Sequence, residues 1–199
     1  RPVEESDKNE IPSDGIFNIV FAGNIGFAQG LSILIGAAKL LKKDGLKARF
    51  NIIGDGRYLD TLKNDINSNE LSDYFNLISR KPAEEISLYA ARADALLITL
   101  SKSKVFSITI PAKTQSCLAC AKLILLSADG EVQDIIKEAS AGLVSDAEDV
   151  LGLYKNIVCL MNLSGEERKA FGRAGLEYSR KYFDKTKLLD RFDKIMEEE

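Results

Sequence analysis

An apolar run that is typical of a buried strand, FNIVFA, leads directly into a glycine-rich segment, Gly23 to Gly30 (GNIGFAQG). Glycines at positions 23, 26 and 30 let a backbone turn tightly and approach a ligand closely. The helix predicted to follow would present free N–H groups and a partial positive charge at its start, which suit a phosphate. The spacing G-x-x-G-x-x-x-G differs from the dinucleotide-binding pattern G-x-G-x-x-G. The segment therefore predicts either a phosphate-binding loop or a purely structural turn.

A second candidate is Lys113, which lies in the long segment Ser101 to Gln115 (SKSKVFSITIPAKTQ) with Lys102 and Lys104. Pro111 begins a predicted helix, so Lys113 falls in its first turn. The helix dipole disfavours a cation at that position. A bound anion would explain the lysine, and we expect Lys113 to contact a ligand phosphate.

Two shorter loops also follow predicted strands. Gly54 to Gly56 (GDG) could place Asp55 on a ribose, but Asp-Gly is also a common turn, which we favour. Ser79 to Pro82 (SRKP) carries Arg80, which can lie flat on a base or pair with an anion. A solvated basic pair, Arg80 and Lys81, is the alternative interpretation of that loop.

Composition excludes several kinds of chemistry. The 199 residues contain no histidine, which removes Ser-His-Asp and Cys-His nucleophile systems and histidine metal sites. Three cysteines, Cys117, Cys120 and Cys159, indicate a reducing compartment. The single C-x-x-C lacks a second pair, so it predicts small apolar positions on a buried helix rather than zinc ligands. A net charge of −3 without a dense basic block argues against nucleic-acid binding.

Gly15 to Ala38 contains no charged residue and is long enough to span a bilayer. Five glycines and several polar residues divide it into a strand-like and a helix-like block, so we reject that interpretation. Arg1 to Ser13 has no apolar core of the kind that a signal peptide needs. With its two prolines this stretch is typical of a linker, as in a fragment cut from a longer protein.

Short apolar runs alternate with stripes of helical spacing as far as Asp146, and only helical stripes follow. Six runs are predicted as strands: FNIVFAG, ARFNIIG, FNLIS, ALLITL, KLILLS and GLVS. This order predicts an α/β fold with a mostly parallel, doubly wound sheet of about six strands and a helical tail. Ligands on such sheets bind beyond the carboxyl ends of the strands, which points to the loops after Ala22, Ile53, Ile78 and Leu100.

Local signals also fix some helix ends. Ser164-x-x-Glu167 predicts a capping box, and Gly142 is expected to end the helix that contains Val132 and Ile136. We predict a linker over residues 1–15, a Rossmann-like domain over residues 16–183 and a C-terminal helix over residues 184–199.

The motifs in this order resemble the C-terminal half of a retaining glycosyltransferase of family 4, the large group 1 family with two Rossmann-like domains. The resemblance covers about residues 16–185. It rests on FAGNIGFAQGL, FNIIGDG, ISRKPAEEISLYAARADALLITL, IPAKTQSCLACAKLILLSADGEV and AGLVS. The sequence is most similar to bacterial enzymes that add amino sugars, such as N-acetylfucosamine, in surface polysaccharide synthesis. Those enzymes often show GN-x-G-x-x-QG and P-S-K-T-Q in these places.

The resemblance implies a domain that binds a UDP-sugar, with an N-acetylated amino sugar as the transferred group. A missing N-terminal domain would hold a lipid-linked or polysaccharide acceptor. This chain alone should bind nucleotide weakly and transfer nothing. No cofactor or metal is implied, and no protein nucleophile is needed if the leaving phosphate assists the acceptor hydroxyl. The implied location is the cytoplasm, with a lipid-linked acceptor met at the inner face of the bacterial membrane.

The resemblance assigns no catalytic residue but implies a donor site in three parts. Residues 23–29 and Lys113 would hold the diphosphate, and residues 80–82 would frame the base. The implied donor-binding residues are Gly23, Asn24, Gly26, Phe27, Gln29, Arg80, Lys81, Pro82, Lys113, Thr114, Gln115 and Ser116.

The sequence departs from the common family pattern. Many members carry Arg and Lys in the first loop, where this chain has Asn24 and Gln29. The frequent E-x7-E pair would fall at Ile108 and Ser116, and its second Glu usually holds the ribose. Gln115 or Ser116 could substitute. These departures leave open a nucleotide-binding domain that has lost catalysis. Half of a UDP-sugar 2-epimerase is a further alternative, although such enzymes rely on histidine. A dehydrogenase would need another glycine spacing.

Overall fold

The computed structural model describes residues 10–184. All six predicted strands are present, with the bounds Phe17–Ala22 (β1), Ala48–Ile53 (β2), Phe75–Ile78 (β3), Ala95–Thr99 (β4), Ile124–Ser127 (β5) and Gly142–Ser145 (β6). They form one parallel sheet in the order β3-β2-β1-β4-β5-β6. The sheet confirms the predicted Rossmann-like α/β fold. The order reverses at β1, which pairs with β2 on one side and β4 on the other. Ligands are expected beyond the carboxyl ends of these strands.

Helices cover both faces of the sheet. Their bounds are Ile33–Lys43 (α1), Leu59–Ser68 (α2), Ile86–Arg92 (α3), Lys104–Ser107 (α4), Ala112–Ala119 (α5), Glu131–Glu138 (α6), Val150–Asn162 (α7) and Gly165–Tyr182 (α8). Side chains alternate between the faces along each strand. Ile19 and Phe21 of β1 therefore lie in the core beneath α1, α2 and α7, while Val20 faces α3 on the opposite side.

The arm before β1 (residues 10–14) lies on the α3 face. Ile11 is fully buried there, and its carbonyl oxygen accepts a hydrogen bond from Nη1 of Arg92 at 2.8 Å. Asp14 forms an ion pair with Arg49, with 2.7 Å between Oδ2 and Nη2. These residues fall within the predicted linker, so part of that stretch packs on the domain. The C-terminal helix predicted for residues 184–199 falls, apart from residue 184, outside the described residues. The domain boundaries stay a prediction.

Helix ends match the local signals except at Gly142. The predicted capping box is confirmed: Glu167 N donates to Oγ of Ser164, and Ser164 N donates to Oε2 of Glu167. The prediction that Gly142 ends α6 is wrong, because α6 ends at Glu138 and Gly142 begins β6. Ser140 takes the left-handed conformation instead, with φ of 47°. A Cβ at Gly142 would collide with the carbonyl oxygen of Ile124, so the pairing of β6 with β5 requires the glycine.

Four of the described loops contain short helical turns, two of which are Phe27–Gln29 and Ser72–Tyr74. Pro82 caps a single 3-10 turn, Ala83–Glu85, that leads into α3 rather than opening α3 directly. The long segment after β4 contains α4 before Pro111 caps α5. No helix within residues 10–184 is long and apolar enough to cross a bilayer.

Candidate functional site

Three loops meet at the carboxyl edge of the sheet, around the loop that follows β1. Gly23 N donates to the carbonyl oxygen of Ile53 at 2.9 Å, and Ile25 N donates to that of Asp55 at 2.7 Å. On the other side, Ser101 N donates to the carbonyl oxygen of Ala28 at 3.0 Å. The loop after β1 is therefore fastened to the loops after β2 and β4.

The glycines in these loops allow backbones to cross closely. Gly54 has φ of 149°, and a Cβ there would collide with the carbonyl oxygen of Gly23. Gly30 has φ of 60°, and a Cβ there would lie 2.9 Å from the backbone nitrogen of Ser101. Asp55 accepts a hydrogen bond from the following N–H at 2.7 Å, and it also lines the cavity described below. Both interpretations of GDG, a structural turn and a ribose contact at Asp55, stay predictions.

A cavity of about 540 Å³ opens beside the loops after β1, β2 and β3 and penetrates between α3 and α5. Its mouth is polar and includes Gly23, Asn24 and Asp55. Its depth is apolar, with Val20 and Leu96 from the switch-point strands as the floor. Ile86 and Ala90 of α3 form one wall. The arrangement suits a ligand with one charged end and one flat or apolar end.

Helix α5 forms the opposite wall of the cavity. Residues three and four apart share a helix face, and the lining residues of α5 follow that spacing: Lys113, Ser116, Cys117 and Cys120. Burial raises the pKa of the Cys117 thiol to about 12 and also raises that of Cys120, so both are uncharged near neutral pH. Within residues 10–184 no cluster of three or more potential metal ligands (His, Cys, Asp or Glu) is found.

Lys113 lies where the polar mouth meets this wall. Its Nζ donates to the side-chain oxygen of Gln29 at 2.8 Å and lies 3.6 Å from the centroid of the Phe21 ring. A Cβ placed on Gly23 would be 3.3 Å from the same Nζ, so the ammonium faces the glycine turn. Burial lowers the pKa of Lys113 to about 8. Within residues 10–184 Lys113 forms no ion pair, and a partly buried ammonium without a counter-charge favours an anion beside it.

Half of the twelve predicted donor-binding residues line the cavity. They are Gly23, Asn24, Arg80, Lys81, Lys113 and Ser116. Lys81 is already engaged, because its Nζ lies 2.7 Å from Oε2 of Glu10. Gln29 does not line the cavity but holds Lys113.

The other five predicted residues lie outside the cavity wall. Phe27 is 66% exposed and packs edge-on against Tyr58, with 5.2 Å between ring centroids. Thr114 is fully buried, and its hydroxyl has no hydrogen-bond partner among the described residues. Gln115 is exposed, and Gly26 and Pro82 belong to backbone turns. Whether any of these contacts a ligand stays a prediction.

The apolar half of the cavity was not predicted from the sequence. Cys117 and Cys120 could have been found from their helical spacing after Lys113. Ile86 and Ala90 share a face of α3 in the same way, but no polar residue marks that face. The floor residues carry no sequence signal, because alternate residues of every buried strand look alike.

Known proteins resemble this chain in sequence or in fold. An uncharacterized glycosyltransferase of Methanocaldococcus jannaschii is 27% identical over 177 residues, covering 88% of this chain and 47% of that protein. HepE of Anabaena, solved with UDP-glucose, has a TM-score of 0.77 at 14% identity over 93% of this chain and 50% of that one. The C-terminal domain of a group 1 glycosyl transferase from Francisella tularensis has a TM-score of 0.68 at 17% identity, covering 85% and 87% of the two chains.

The likeness to these solved structures concerns the fold alone. The chain spans less than half the length of the curated relatives it matches. The family model described as "Glycosyl transferases group 1" matches residues 3–178, and the chain therefore belongs to this family.

Proposed function

We propose that this chain is the donor-binding domain of a retaining glycosyltransferase that takes its sugar from a UDP-sugar. The observation that carries the proposal is the partly buried ammonium of Lys113, which faces the Gly23 turn at the mouth of the cavity without a carboxylate partner among the described residues. HepE, which shares the fold, was solved with UDP-glucose, and this supports a UDP-sugar as the ligand class.

The charged end of the cavity fits the diphosphate. Breaking the glycosidic bond leaves negative charge on that group, and fixed donors lower the barrier to its departure. Lys113 lies in the first turn of α5, so its ammonium and the free N–H groups of that helix start act on the same region. This chemistry requires no histidine, no metal and no protein nucleophile if the leaving phosphate assists the acceptor hydroxyl.

The apolar end fits the base. Arg80 lies at the rim, where its guanidinium can stack on a flat ring, and Ile86 and Ala90 line the wall beneath it. Ser116 lies on α5 between the charged and apolar ends, in position for a ribose hydroxyl. The ligand would therefore lie along α5 from Lys113 inwards.

The finer parts of the proposal rest on the resemblance. An N-acetylated amino sugar would be transferred to a lipid-linked or polysaccharide acceptor, bound by a separate acceptor-binding domain. The relatives' greater length is compatible with such a second domain. The enzyme would act in the cytoplasm and meet a lipid-linked acceptor at the inner face of the membrane.

A non-catalytic nucleotide-binding domain is the second candidate. Ile108 and Ser116 stand where the resemblance expects a pair of glutamates, and Ile108 is 77% exposed rather than turned into the cavity. Sugar transfer by the full-length parent protein would exclude this candidate.

Calorimetric titration with UDP tests the proposal. We expect the wild-type chain to bind UDP in the millimolar range or tighter, and Lys113→Ala to bind it about tenfold more weakly, as for a lost charge-assisted hydrogen bond. Lys122→Ala is the matched control, because Lys122 does not line the cavity and its ammonium donates to the carbonyl oxygens of Ala91 and Ala93. Absence of UDP binding, or equal binding by wild type and Lys113→Ala, would contradict the assignment.

A further inference from the structure

One carboxylate ties the arm before β1 to the wall of the cavity. Oε2 of Glu10 lies 2.7 Å from Nζ of Lys81 in the loop after β3. The same oxygen accepts a hydrogen bond from the hydroxyl of Tyr89 on α3 at 3.0 Å. Glu10 therefore joins an element outside the cavity to two elements that frame it.

The backbone of the arm holds this carboxylate in place. The carbonyl oxygen of Glu10 accepts a hydrogen bond from Nδ2 of Asn76 at 3.0 Å, at the start of β3. The next residue, Ile11, is fully buried, and Arg92 bonds its carbonyl oxygen. Because the carbonyl oxygens of Glu10 and Ile11 both accept hydrogen bonds from the domain, the backbone of the arm is fixed. The carboxylate of Glu10 can therefore hold Lys81 in position.

Lys81 is part of the cavity rim. Its side chain is only 20% exposed and its Nζ lies 5.9 Å from the centroid of the Tyr89 ring. Its neighbours Arg80 and Ala83 also line the cavity. The hydrogen bond with Glu10 raises the pKa of Lys81, and the same bond lowers that of Glu10, so both groups are charged near neutral pH.

We propose that Glu10 is a positioning residue for the base end of the cavity. By fixing Lys81 it holds residues 79–83 against the rim and presents Arg80 to the base. This inference rests on the proposed function. The two ends of the site would then be positioned by different residues. Gln29 holds Lys113 at the phosphate end, and Glu10 holds residues 79–83 at the base end.

The test compares a ligand that has a base with one that has none. Glu10→Gln keeps the shape of the side chain and removes its charge. We expect UDP to bind about twofold to fivefold more weakly, the range for a partly exposed ion pair. Inorganic pyrophosphate, which has no base, should bind as it does to wild type. Both affinities are measured by calorimetry on the same protein preparations.

Asp14→Asn is the matched control. It breaks another ion pair of the same arm, with Arg49, at a place that does not line the cavity. We expect it to leave the ratio of UDP affinity to pyrophosphate affinity unchanged. Glu10→Lys should lower that ratio further, and the charge swap Glu10→Lys with Lys81→Glu should restore part of it.

Amide hydrogen exchange gives a readout that needs no ligand. We expect faster exchange across residues 79–83 in Glu10→Gln than in wild type or Asp14→Asn. Unchanged exchange in that loop, or equal weakening of UDP and pyrophosphate binding, would overturn the proposed role of Glu10. If the wild-type chain fails to bind UDP, the proposed function is wrong, and the exchange data still decide whether Glu10 holds the loop.

Discussion

The ammonium of Lys113 is held 2.8 Å from the side-chain oxygen of Gln29, although the two residues are 84 positions apart in the sequence. The amide aims the lysine at the Gly23 turn without neutralising it, and the Phe21 ring beneath it adds a weak attraction. A carboxylate in place of Gln29 would pair with the ammonium and compete with any bound phosphate. The neutral partner keeps the cation available for an anionic ligand.

We predict that Gln29→Glu weakens UDP binding by about tenfold or more, because the new carboxylate repels the diphosphate and pairs with Lys113. The substitution keeps the shape of the side chain, so thermal unfolding should not occur at a lower temperature. Calorimetry measures the affinity. Asn64→Asp is the matched control, since it adds the same charge on an exposed position of α2 that does not line the cavity. Equal affinities of the two variants would contradict the prediction.

The pH dependence of UDP binding should report the pKa of Lys113, which burial lowers from 10.5 to about 8. Bound diphosphate stabilises the ammonium, so binding near pH 8 should take up a proton and should weaken as the pH rises further. Calorimetry in two buffers of different ionisation enthalpy measures the proton uptake. Lys113→Met should show neither effect, and a pH-independent affinity of the wild-type chain would refute the assignment.

The lowered pKa of Lys113 affects the stability of the unliganded chain in the opposite direction: stability should rise with pH, whereas UDP binding should weaken. Between about pH 8 and pH 10.5 the unfolded chain binds more protons at Lys113 than the folded chain does. The contribution of Lys113 to the free energy of unfolding therefore rises with pH across this window. Urea titrations of wild type and Lys113→Met measure it: their difference in unfolding free energy should change with pH in that direction. A constant difference would argue against a depressed pKa.

We predict that Ser116→Glu strengthens UDP binding by about threefold to tenfold. A glutamate on the cavity wall can accept a charge-assisted hydrogen bond from each ribose hydroxyl, one at each carboxylate oxygen, whereas a serine offers a single neutral oxygen. The affinity for pyrophosphate should not rise, because pyrophosphate has no ribose. Asn64→Asp again controls for the added charge. A gain for both ligands, or for neither, would show that Ser116 does not lie beside the ribose.

Gly54→Ala should destabilise the chain by about 2 kcal/mol or more, because a Cβ there would collide with the carbonyl oxygen of Gly23. Displacement of the loop after β1 should also weaken UDP binding. Gly165→Ala is the control, since a Cβ at Gly165 meets nothing within 4 Å. It lies at the start of α8, where alanine favours the helix. Thermal unfolding of both variants checks the prediction, and similar unfolding temperatures would contradict it.

Local patterns were sufficient for the strands, the alternation of strand and helix, and the Ser164–Glu167 capping box. Each depends on residues a few positions apart, so the period of apolar residues and the chemistry of single turns predict it. Because all strands of such a sheet run parallel, these patterns also placed the site-bearing loops at one edge. Lys113 stood out by itself as a cation at a helix start.

Tertiary structure decided which side chains meet at that edge. Strand order brought the loops after β1, β2 and β4 into contact. It also placed Gln29 within hydrogen-bond distance of Lys113. Tertiary packing also formed the cavity between α3 and α5. It brought Glu10 within hydrogen-bond distance of Tyr89, which is 79 positions away in the sequence. The prediction that Gly142 ends a helix was wrong because Gly142 pairs with Ile124 on a neighbouring strand, whose backbone leaves no room for a Cβ. Such contacts depend on packing between distant segments, which periodicity within one segment does not contain.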